Sequence, residues 1–273
     1  MIKGVRVADY DSAKCFIHSL QRAVEESLKS QAEVLEMVAA ARRIVTHFNH
    51  SGVRQELNLP NHQLVQDVMT RWNSTYYLME RLLEQKRAVS LYITDHESLN
   101  NLTPSQWELM EQCIKLLKPF EEITKITSSS VSCISEVIPH VVTLLKYLGK
   151  EETADRTLNL LTMRSTLKVE LEKRFDFDDN DKYLVASFLD PRFKTSFLGL
   201  VQKERARQKV LLETLKICCD ECSSTDDYSS PPSKKRNINE NDRTIEIHDS
   251  FWRCFEEMRL WRQVLLQMRL IFI

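Results

Sequence analysis

The chain has 273 residues, 42% of them apolar and 28% charged, which suffices for one large or two small domains with real cores. A net charge of −1 excludes a globally basic nucleic-acid binder, so any surface for phosphate must be a local patch. Only four glycines beside abundant Leu, Glu, Lys and Arg exclude a turn-rich all-β fold and predict a mainly α protein.

In chain order, Phe16, Leu20, Ala23, Val24 and Leu28 recur at spacings of three and four, as do Val34, Val38, Ala41, Val45 and Phe48, predicting two antiparallel helices. Residues 52–61 break the pattern. Leu64, Val65 and Val68 then predict a short strand leading into Trp72. Leu78, Leu82, Val89 and Tyr92 share one face of a predicted helix over 76–92. Thr103-Pro-Ser-Gln106 predicts a helix start: Thr caps, Pro suits the first position, and Gln reaches back to the cap. That helix carries Trp107, Met110, Ile114 and Leu117 inward, and Pro119 is expected to kink or end it. Further helices are predicted over 135–148, 154–175 and 198–222, giving a helical bundle.

Residues 223–243 are rich in Ser, Asp, Asn and Pro without apolar periodicity, which predicts a disordered linker. Within it Lys234, Lys235 and Arg236 form a basic cluster suited to nuclear import or to simple solvation. The seven cysteines, at 15, 113, 133, 218, 219, 222 and 254, stand at unequal intervals and read as reduced thiols of an intracellular protein. No run reaches the ~18 to 20 apolar residues of a membrane helix, so no membrane partner is expected.

Three motifs stand out in order: Cys15-Phe-Ile-His18, Asp67-Val-Met-Thr-Arg-Trp-Asn-Ser-Thr-Tyr76 and Phe188-Leu-Asp-Pro-Arg-Phe-Lys194. Together they resemble hAT-type transposases, in particular the zinc finger BED group, over roughly residues 13–258. The resemblance implies the end of a truncated α/β ribonuclease H-like domain over 1–73 and a helical insertion domain over 74–222. The linker 223–243 follows, then a C-terminal helix of divergent sequence over 244–273.

Family members cut DNA with two divalent metals held by three carboxylates. Asp9 and Asp11 lack the family's surrounding residues, and Glu256 and Glu257 precede the place of the last acid. No catalytic residue, metal site or cofactor is therefore assigned, and the chain is expected not to be an enzyme. Instead it is expected to be a catalytically inactive fragment acting as a nuclear nucleic-acid-binding or regulatory protein. The alternatives are a scaffold or transcription regulator related to SUMO ligases, or an unstable product with apolar faces uncovered. Its expected partners are DNA, other proteins or longer homologues, with no small-molecule substrate. The expected location is the nucleus, or the cytoplasm if the basic cluster is not an import signal.

In the family the residue matching Trp72 stacks on a flipped base, with Arg71 beside it; stacking is worth roughly 1 to 3 kcal/mol per base. The plainer reading, that Trp72 packs, is preferred. Ser74 and Thr75 suit a helix cap, and Asp67 is expected to fix the turn or pair with Arg71. Cys15 and His18 share a helix face at metal-ligand spacing, but no second pair completes a site, and core packing is preferred. Cys219 and Cys222 form a Cys-x-x-Cys closing the last helix. The 188–194 motif reads as a helix-to-helix corner in which Asp190 caps the next turn and Arg192 and Lys194 are candidates to touch phosphate.

Overall fold

The computed structural model describes residues 15–50, 64–96, 99–129, 132–150, 160–177 and 181–222. Among these the helices are α1 Phe16–Lys29, α2 Ala32–His50, α3 Trp72–Glu84, α4 Lys86–Asp95, α5 Pro104–Thr127, α6 Val137–Lys150, α7 Leu161–Arg174, α8 Asp181–Leu189 and α9 Leu200–Cys222. A 3-10 turn, Ile134–Glu136, precedes α6. The described residues contain no strand, so the mainly α expectation holds. The linker 223–243, its basic cluster and the segment 244–273 lie outside the described residues, as do Asp9 and Asp11.

The chain divides into two units, one of residues 1–132 and 141–176, the other of 133–140 and 177–273. In the first, α1 packs on α7, with Phe16 and Phe175 rings 5.3 Å apart, while α2 and α3 pack on α5. The predicted inward residues of α1 and α2 are all buried, as are Leu78, Leu82, Val89 and Tyr92. Each Val, Leu or Phe among them contributes roughly 1.5 to 3 kcal/mol by leaving water, against about 1 kcal/mol for a typical helix cap. In the second unit α8 packs against α9 and against the 3-10 turn.

Four local expectations are corrected. Residues 64–68 form neither strand nor helix, and their backbone enters no ladder among the described residues; Leu64 is buried while Val65 and Val68 are exposed. The helix predicted over 76–92 is two helices, broken at the buried Gln85, whose backbone leaves helical geometry at φ −97° and ψ 11°. Of the two outcomes expected at Pro119, a kink or an end, the end is excluded, because α5 runs on to Thr127. Proline has no amide hydrogen for the carbonyl of Lys115 four residues back, and the Tyr147 hydroxyl on α6 donates to that oxygen at 3.1 Å instead. Finally, Cys15 and His18 are exposed and not packed in the core, because Phe16, Ser19 and Leu20 take the inward face of α1. The start of α5 agrees with its prediction: Gln106 N donates to Thr103 Oγ1 at 3.2 Å, and Thr103 N to Gln106 Oε1 at 3.0 Å.

Candidate nucleic-acid interface

In the first unit the chain turns at 69–70 and enters α3 at Trp72. Asp67 fixes this turn, but not through Arg71. Its Oδ2 accepts from Arg42 Nε and Nη2 at 2.8 and 2.6 Å and from Thr75 Oγ1 at 2.9 Å. Burial raises the Asp67 pKa; the hydrogen bonds from Arg42 and Thr75, with the guanidinium charge, outweigh it and hold the carboxyl below its ordinary value.

Ser74 does not cap α3 from outside. It lies in the first turn, where its Oγ accepts from Val68 N at 2.8 Å and donates to Arg71 O at 2.6 Å. Gln21 Nε2 of α1 donates to Thr70 O. Arg71 occupies the N-cap position without a side-chain cap bond, and its side chain is exposed. Trp72 is only 2% exposed, edge-on to Tyr76 with ring centroids 6.3 Å apart. Its face is covered, so a base cannot reach it in this conformation. Next to it, Tyr77 donates to Glu121, which also pairs with Lys125 at 2.7 Å.

The 188–194 motif lies in the second unit and makes a corner. Asp190 Oδ1 accepts from Arg192 N at 2.9 Å, and Oδ2 from Ser135 Oγ at 2.6 Å and Arg192 Nη2 at 2.8 Å. Arg192 also reaches Glu136 Oε1 at 3.0 Å and Cys133 Sγ at 2.9 Å. The hydrogen bonds from Arg192 hold Asp190 far below the usual carboxylate range. Arg192 is thus engaged by two acids, although its side chain is 53% exposed. Lys194 is exposed and takes the left-handed conformation, φ 49°. Of the apolar anchors, Phe193 is buried, whereas Leu189 is 60% exposed.

Residues 13–116 match the family described as the ZBED1 RNase-like helical domain. Human zinc finger BED domain-containing protein 4 is 31% identical over 220 residues, 77% of this chain and 19% of that protein. Human zinc finger BED domain-containing protein 6 is 30% identical over 216 residues, 72% of this chain and 21% of that protein. The chain belongs to the hAT transposase-derived family, in its zinc finger BED group. A putative AC transposase of Zea mays is a further relative, 26% identical over 141 residues, 50% of this chain and 17% of that protein. The chain spans about a fifth of the length of the BED relatives it matches.

In this hAT-derived chain the structure gathers the Asp67 motif with Arg42 and Gln21, and the corner with Ser135 and Glu136. None of these four partners carries a sequence signal, since each lies 25 to 56 residues from the group it binds and no local pattern joins them. The described residues contain no group of three His, Cys, Asp or Glu side chains placed to hold a metal ion. They also contain no helix long and apolar enough to cross a membrane.

Proposed function

We propose that this transposase-derived chain is a nuclear regulatory protein that binds DNA through its phosphates and does not cut it. The observation that carries this reading is Arg71, exposed at the uncapped start of α3 and held there by the Asp67 and Ser74 bonds. A guanidinium beside unsatisfied helix N-terminal amides favours phosphate, which positions a protein on DNA without reading its sequence. Lys194 offers a second exposed cation, and Arg192, already shared between Asp190 and Glu136, a weaker one. Trp72 serves this reading as packing beneath Arg71. Asp67 is engaged by Arg42 and Thr75 and serves this reading by fixing the turn that presents Arg71. The cluster Lys234, Lys235 and Arg236 supports nuclear import.

The test is fluorescence anisotropy of the full chain with duplex and hairpin DNA across a salt series. Arg71→Ala should weaken binding severalfold and flatten the log–log salt slope by about 0.9, the signature of one lost phosphate contact. Binding that ignores both salt and Arg71 would sink the reading.

A second reading, association with protein partners, draws on the apolar turn before α3, where Val65, Val68 and Met69 are 39%, 52% and 77% exposed. Partners retained in high salt and after nuclease treatment, and lost on Met69→Asp, would favour it.

A further inference from the structure

A chain of near-zero net charge can meet phosphate only through a local basic patch, and the first unit gathers one around the turn before α3. Two exposed bonds place that turn. Gln21 of α1 donates to Thr70 O, and Thr46 of α2 bonds Gln66 Oε1 at 3.1 Å, so residues 66–71 run between the outer edges of α1 and α2. Arg71 N donates to Val68 O at 2.8 Å, which closes the turn and brings Arg71 back toward Asp67.

Each of the two helix edges adds an arginine. On α1, Arg22 follows Gln21 and is exposed. On α2, Arg43 is exposed and stands one turn before Thr46, on the same face. Among the described residues, Arg22, Arg43 and Arg71 have no hydrogen-bond or ion-pair partner. The acids at hand are engaged elsewhere. Glu25 and Glu26, one turn along from Arg22, accept from Gln21 at 2.9 Å and pair with Lys29 at 3.9 Å, while Asp67 is held by Arg42 at 2.6 Å. Three guanidiniums around one turn repel one another, and a row of anions laid across them relieves that repulsion.

We propose that Arg22, Arg43 and Arg71 form one track that takes three phosphates of a DNA backbone. It rests on Arg71 as a phosphate contact and adds two helices to it. Arginine suits the task, because its planar fork meets two phosphate oxygens at once and keeps its charge at every working pH. The three cations come from two helices and a turn, not from one helix lying in a groove, so the track grips the backbone and leaves base edges unread.

Anisotropy titrations of the full chain with a short duplex, in a salt series, test the track. R22A and R43A should each weaken binding severalfold and flatten the log–log salt slope by about 0.9, and R22A/R43A/R71A should flatten it by about 2.7. R22K and R43K keep the charge and should keep the slope. R87A removes an exposed arginine of α4 and should change neither. A duplex of scrambled sequence should bind as tightly as the first. All the altered side chains are exposed, and equal thermal midpoints check that each variant is folded. If R71A flattens the slope while R22A and R43A leave it unchanged, the track is wrong and the Arg71 contact stands. If R71A has no effect either, both are wrong. An equal loss with R87A means diffuse attraction to any basic surface and overturns the track, as does a slope that R22K and R43K fail to keep.

Discussion

Asp67 in the first unit and Asp190 in the second each accept from one arginine and one hydroxyl, yet the two clusters differ in depth and reach. The Asp67 side chain is 1% exposed and its arginine, Arg42, 30%; the arginine lies 25 residues away on α2. Asp190 is 12% exposed, and its arginine, 53% exposed, lies two residues on. The first cluster joins elements, and losing one member strands a charge that water reaches poorly. The second also reaches the 3-10 turn through Ser135 and Glu136, but its arginine is half exposed, so water can replace much of what is lost. The same pair of side chains is thus closed off from water in one place and open to it in the other.

The sharpest way to break that contrast is to remove each acid in turn. Asp67→Ala should cost about 4 kcal/mol in urea unfolding, since an arginine in a mostly buried pair loses its counter-charge. Asp190→Ala should cost less, about 1 to 2 kcal/mol, since the arginine it leaves behind is half exposed and water can solvate it. Equal costs would mean that burial does not separate the two.

Acid should sharpen the comparison further. His140, in the second unit, is 5% exposed, and burial lowers its pKa to about 4, with Glu136 opposing and Arg192 reinforcing that shift. The unfolded chain binds the proton near the ordinary value of about 6.5, so the contribution is full above that pH and is lost as pH falls toward 4, about 3 kcal/mol in all. Glu122 of α5, in the first unit, behaves oppositely. Burial raises it to about 7, with Lys118 and Lys125 opposing. Its contribution is full below the unfolded value of about 4.3 and is lost as pH rises through 7. Between pH 7 and 5, hydrogen exchange corrected for its intrinsic pH dependence should show α8 loosening while α5 tightens.

A smaller effect is expected where α6 meets α5. Tyr147→Phe should cost about 1 kcal/mol in the parent chain and almost nothing in Pro119→Ala, where the helix supplies its own donor. The smallest concerns Lys194. Glycine is at ease at positive φ, so Lys194→Gly should be neutral or stabilise by about 0.5 kcal/mol, whereas Lys194→Val should destabilise. Thermal unfolding resolves the two.

These contrasts also explain how far the sequence could be read. Apolar stripes on α1, α2 and α5 and the Thr103 cap were legible because each is settled within one or two turns of chain. Within the candidate site, the turn at Asp67 and the corner at Asp190 were legible as turns, whereas Ser74, read as a cap, lies inside the first turn of α3. The partners of Asp67 and Asp190 were not legible. Arg71 was the nearest arginine to Asp67, but a side chain at the N-cap of α3 points to solvent, and Arg42 arrives only once α2 packs on α3. Likewise the Cys15 and His18 spacing marks a shared face without saying whether that face looks inward. The 64–68 segment has strand-like residues, but a strand needs a neighbour, which a local pattern cannot supply.

Pro119 leads to one more consequence. An acceptor left open in the middle of a helix is a position mark that the helix's regular surface otherwise lacks. Sliding α6 by a single turn, 5.4 Å, would part the Tyr147 hydroxyl from that mark and leave the Lys115 carbonyl without its donor. A residue usually regarded as a helix breaker thus gives α6 a fixed point along α5.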